Sequence, residues 1–148
     1  MTGRKGESVD YEVIDIASWP RREYFEHYMN AVPCTYSMTV RLDITNLRRK
    51  GLRLYPAMLW LLTGAVNRCE QFRMALRPDG ELVRYSRMEP SYTVFHRDTH
   101  TFSNLWTEYS PDYGEFLSRY EEDLRLYGGV EAFAAKPDAP ENCFTVSM

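Results

Sequence analysis

The chain has 148 residues, one domain's worth and enough to bury a core. Hydrophobic residues make up 44% and charged residues 26%, the balance of a soluble globular protein. A net charge of −3 argues against a nucleic-acid binder, and the best apolar run, "AMLWLLTGAV", is far short of a membrane span.

The N-terminus "MTGRKGESVD" is polar and lacks the apolar stretch of a signal peptide. Three cysteines, Cys34, Cys69 and Cys143, are odd in number and widely spaced. They match neither a metal site nor a disulfide framework, so a reducing cytoplasm is the expected setting.

"ASWPRREYFEHYMNAVP" predicts a helix, with Ser18 as cap, Pro20 in the first turn and Pro33 as terminator. "CTYSMTVRLDIT" alternates strictly: Cys34, Tyr36, Met38, Val40, Leu42 and Ile44 share one face. That pattern predicts a long strand with one face on a core. Thr45 then caps a short helix ending at Gly51, whose basic end (Arg48, Arg49, Lys50, with Arg53 beyond) reads as a solvated helix end. "YPAMLWLLTGAVNRCEQFRMAL" starts a second helix, with Pro56 near its first position; it is apolar almost all round, which predicts a central, buried helix, and the period changes around Phe72.

"FRMALR" and "ELVRYS", joined across Pro78-Asp79-Gly80, predict a hairpin. "SYTVFH" (91–96) predicts another strand. "SPDYGEFLSRYEEDLRLYGG" predicts a helix capped by Ser110, with Pro111 first and Gly128 beyond its last turn. A Pro/Ala-rich loop leads to a final strand, "CFTVS". Interleaved helices and strands give an α/β or α+β class: a mixed sheet with flanking helices in two layers, one domain over 1–148.

Composition and spacing alone reveal no Gly-rich phosphate loop, metal spacing or nucleophile elbow. The histidines are His27 on a helix, His96 at a strand end and His100 in a loop. Each is a default candidate for a general base, and for each a structural role is the commoner case.

Longer strings add a family signal. "WPRREYFEHY", "CTYSMTVRLDIT", "YPAMLWLLTGAVN", "FRMALRPDGELV", "YTVFH", "TFSNLWTEY" and "PENCFTVS" occur in this order. Together they resemble chloramphenicol O-acetyltransferase, a trimeric enzyme of antibiotic resistance. The resemblance implies active sites at subunit interfaces, chloramphenicol as acceptor, acetyl-CoA as co-substrate and no permanently bound cofactor. It implies that a histidine takes the proton of the antibiotic's 3-hydroxyl. That oxygen attacks the thioester, and a serine hydroxyl binds the tetrahedral oxyanion.

Carried over by position, Ser147 matches the oxyanion serine. Arg21 matches the arginine that pairs with an aspartate beside the catalytic histidine. Tyr28, Val32, Cys34, Phe102 and Phe133 fall where the family lines its chloramphenicol pocket. Arg53 and Tyr55 fall near the coenzyme A approach. In the family the last strand continues past the serine, and a His-His-x-x-x-Asp-Gly segment follows. These 148 residues contain no such segment. The expectation is therefore a chain covering roughly the first two thirds of the family pattern, inactive alone. The alternative is a non-catalytic, oligomeric ligand-binding module on the same scaffold. An acyltransferase core of the dihydrolipoyl type is less favoured, because "YTVFH…TFSNLW" resembles the antibiotic-modifying branch.

Overall fold

The computed structural model describes residues 9–148. They build two three-stranded sheets. Strand β1 (Tyr11–Val13) and strand β2 (Met74–Leu76) flank β3 (Leu82–Tyr85), all antiparallel. The turn between β2 and β3 works because Gly80 takes φ 89°, a left-handed angle that suits glycine. The hairpin is as predicted, whereas β1 carries no sequence signal strong enough to read.

The second sheet has β4 (Glu89–His96) at its centre. On one side β5 (Thr101–Trp106) pairs antiparallel. On the other β6 (Cys143–Val146) pairs parallel. Such a parallel neighbour needs a long crossover, and α4 (Tyr113–Tyr127) lies within it. Its N-cap is Asp112, whose carboxylate accepts from the Glu115 amide at 2.8 Å, so the expected cap at Ser110 is displaced by two residues. Ser110 instead donates to the Glu115 carboxylate at 2.6 Å.

Helix α3 (Leu54–Arg68) and α4 cover one face of this sheet. The core holds Leu59 from α3, Tyr92, Leu105 and Val146 from the sheet, and Phe116 and Tyr120 from α4. Tyr92 and Tyr120 sit with ring centroids 5.3 Å apart. Burial pushes the Tyr120 hydroxyl up to about 12. Beside the core, the Tyr92 hydroxyl donates to Thr107 Oγ1 (2.8 Å) and Thr107 donates to Asp123 Oδ2 (2.7 Å). Lys136 Nζ closes the network on Asp123 Oδ1 at 2.7 Å while lying 3.8 Å from the centre of the Trp106 ring. No helix of the described residues is long and apolar enough to cross a membrane.

Three expectations need correction. The first is the strand predicted over 34–44: these residues form no strand, and residues 33–43 make no main-chain to main-chain hydrogen bond among the described residues. Tyr36 and Met38 are 85% and 74% exposed, so the alternating face rests on nothing. The second is the helix from Ser18. It shortens to α1 (Arg22–Glu26) followed by one π-helical turn (His27–Ala31), and Ser18 bonds Asp15 at 2.7 Å instead of capping. Tyr24, Tyr28 and Met29 remain exposed along it. The third is α3, which is buried on one side only. Its other side, with Leu61 exposed, borders a cavity of about 370 Å³ shared with Leu42, Ile44 and Leu47 of the segment around α2 (Thr45–Arg49).

Candidate active site

Period-2 alternation sorts the second sheet into two faces. Tyr92 and Val94 of β4 point into the helical core. Thr93 and Phe95 therefore point to the other face, which no helix of the described residues covers. The register carries this across the sheet: Phe95 stands opposite Phe102, Thr93 opposite Asn104, and Val146 beside Tyr92. Ser147, one residue beyond Val146, then reaches the open face, and its Oγ lies 3.2 Å from Thr93 Oγ1.

The same face carries an aromatic row. The Phe102 and Phe133 rings meet edge to face at 6.1 Å, and Phe95 stacks on His100 at 6.4 Å. All three phenylalanines are exposed. Phe133 belongs to the loop after α4. Its carbonyl accepts from the Asn104 amide at 2.7 Å, which sets the loop alongside β5.

Tyr55 supports the site from the core side. Its hydroxyl donates to the Thr93 carbonyl at 2.7 Å, and its ring packs edge-on against Tyr92 and Tyr120. Burial raises the pKa of that hydroxyl, so it stays protonated and keeps the donor. Arg53, just before α3, pairs with Glu121 of α4 in an exposed ion pair.

The remaining expected residues lie elsewhere. Tyr28 sits on the π-helical turn, with Val32 and Cys34 just after it, all exposed. Among the described residues no ring contact or hydrogen bond joins them to Phe102 or Phe133. Arg21 is exposed at the start of α1 and borders a cleft of about 350 Å³ with Trp19, Tyr24, Phe25, Tyr28 and Met29. It makes no salt bridge within the described residues, and Asp15 is engaged by Ser18 and the Ala17 amide. An exposed guanidinium carries little desolvation cost, so Arg21→Met should shift unfolding by less than about 0.5 kcal/mol. A urea-denaturation change of several times that size would show that Arg21 has a buried partner.

Thr93 is the residue that sequence reading missed. Its place on a strand was legible, but its contact with Ser147 depends on β6 pairing with β4, which no local pattern encodes.

The sequence model of the family described as "Chloramphenicol acetyltransferase" matches residues 9–148. The chain belongs to the chloramphenicol acetyltransferase family. A chloramphenicol acetyltransferase of Clostridium perfringens is 55% identical over 138 residues, covering 93% of this chain and 67% of its own length. One from Clostridioides difficile is also 55% identical, with 93% and 65% covered. One from Campylobacter coli is 49% identical over 140 residues, with 95% and 68% covered. The chain thus spans about two thirds of the length of these curated relatives. A solved chloramphenicol acetyltransferase superposes with a TM-score of 0.75 at 18% identity, covering 93% of this chain and 69% of that one. At that identity the superposition establishes the α+β fold, and the family rests on the sequence matches.

Proposed function

We propose that these residues form the oxyanion and acceptor-wall side of an acetyl-transfer site, using acetyl-CoA to acetylate the 3-hydroxyl of chloramphenicol. The observation that carries this reading is Ser147 on an open sheet face, held beside Thr93 and sharing that face with Phe102 and Phe133. A hydroxyl fixed there supplies a hydrogen bond to a developing oxyanion. The phenylalanines offer flat apolar area to the antibiotic's aryl ring. Tyr28, Val32 and Cys34 form the remaining acceptor wall. Arg53 and Tyr55 flank the coenzyme approach, where a phosphate could take the Arg53 guanidinium from Glu121. Arg21 orients a catalytic pair whose histidine and aspartate are not among these 148 residues, which act as a single domain spanning about two thirds of the relatives' length. The location is cytoplasmic.

A calorimetric titration with chloramphenicol tests the reading. Saturable binding is expected, weakened about tenfold by Phe102→Ala and little by Ser147→Ala, since about 1.4 kcal/mol of aryl contact is a factor of ten. Equal affinity in the wild type and Phe102→Ala would overturn the acceptor wall. Binding without turnover is also what the second reading, a ligand-binding module, requires. That reading draws on the partners of the three histidines, Ser103 for His96, Phe95 for His100 and Tyr28 for His27, none of which is Ser147.

The same chain is proposed to assemble as a homo-oligomer, a trimer as the family implies. Residues 33–43 offer main-chain donors and acceptors unpaired with the main chain of the described residues, beside an exposed apolar row, which recruits other chains. Light scattering should give a mass above 17.4 kDa at micromolar concentration; a clean monomer would count against assembly.

A further inference from the structure

We infer that His96 is a positioning residue and not a base: through Ser103 it fastens the loop 130–135 to β5 and so holds the Phe133 ring against Phe102. The inference rests on the reading of these two rings as acceptor wall.

Ser103 is fully buried, and its Oγ has two neighbours. One is the Val130 carbonyl at 2.7 Å and the other is His96 Nε2 at 2.7 Å. A carbonyl only accepts, so the single hydroxyl proton goes to Val130. The Ser103 oxygen must then accept from His96, which places the proton on Nε2. Nε2, already donating, cannot collect a proton from a substrate hydroxyl, and the bare Nδ1 is kept from one by the placement of the ring. The imidazole also lies on the core face with Tyr92 and Val94, across the sheet from Ser147.

What the relay holds is the start of the loop. Val130 stands three residues past the end of α4, after Gly128 and Gly129, and its amide donates to the Tyr127 carbonyl at 3.0 Å. Farther along, the Phe133 carbonyl accepts from the Asn104 amide and the Ala135 amide donates to the Asn104 carbonyl at 3.2 Å. Phe133 itself is 73% exposed. So little of its ring is buried that its orientation follows from these ties and from Phe102. Without His96 the buried Ser103 oxygen loses a donor, its hydroxyl is free to turn from Val130, and the loop loses its first tie.

The test uses the intact chain. Long-range proton–nitrogen correlation spectra of the neutral ring should show Nε2 protonated and Nδ1 bare. Amide exchange at Ala135 should quicken about tenfold in His96→Ala and in Ser103→Ala, relative to the core amide of Tyr92. His96→Gln, whose side-chain N–H can replace the donor, should restore it. General destabilisation would quicken both amides together and would not be rescued. Chloramphenicol affinity should fall and recover with Ala135 exchange across these forms. A ring protonated on Nδ1, or Ala135 exchange unchanged in His96→Ala, would overturn the inference. The expected spectra and exchange, with no chloramphenicol bound by any form, would uphold the positioning role and refute the acetyl-transfer reading.

Discussion

Mixed with acetyl-CoA and chloramphenicol, the 148-residue chain is expected to release coenzyme A at the background rate. The reason is the absence of a base at Ser147. A general base must come within about 2.6–3.2 Å of the proton it takes, and it contributes about 10²–10⁴-fold to the rate. His96 is on the opposite face of the sheet, with Nε2 committed to Ser103. His100 stacks on Phe95. Phe95 is two residues along β4 from Thr93, about 7 Å, and its ring, 6.4 Å from that of His100 between centroids, occupies the imidazole's face. His27 packs edge-on against Tyr28 at 5.0 Å, on the π-helical turn. Among the described residues no histidine makes a hydrogen bond to Ser147, whose hydroxyl meets Thr93 alone. Thioester release followed with a thiol reagent is the measurement. Robust turnover lost on His27→Ala, His96→Ala or His100→Ala would sink the expectation and identify the base.

The largest stability effect is expected at Asp123. Its carboxylate is nearly buried and bonds both Thr107 and Lys136. Lys136 is held between that carboxylate, the Trp106 carbonyl and the Trp106 ring. Asp123→Ala would leave an ammonium with a side chain only 14% exposed and no counter-charge. Breaking a buried pair from one side costs about 3–5 kcal/mol, a large share of a domain's stability. Asp123→Leu with Lys136→Met removes both charges and should recover much of the loss, because no lone charge stays buried. Urea denaturation of the wild type, single and double variants separates these terms. A single variant within about 1 kcal/mol of wild type would mean that Lys136 escapes to water.

The elements most legible in the sequence were those whose bonds are internal or joined by a short turn. Helices α3 and α4 satisfy their own main chain, so apolar spacing, Pro56 and Gly128 were enough to find them. The β2–β3 hairpin was legible because Pro-Asp-Gly fixes the turn, and Gly80 adopts the expected left-handed angle. The order of family-like strings also fixed the family. Residues 34–44 show the limit. Alternation gives a segment two faces, but a strand's hydrogen bonds belong to another segment, and none within the described residues supplies them. For the same reason the partnership of Ser147 with Thr93 appeared only in three dimensions, set by the parallel pairing of β6 with β4. The sequence named a serine, two phenylalanines and, among three histidines, the one at a strand end, His96. Tertiary structure put the first three on one face and turned the histidine to the other, because strand pairing and register decide which side chains can meet.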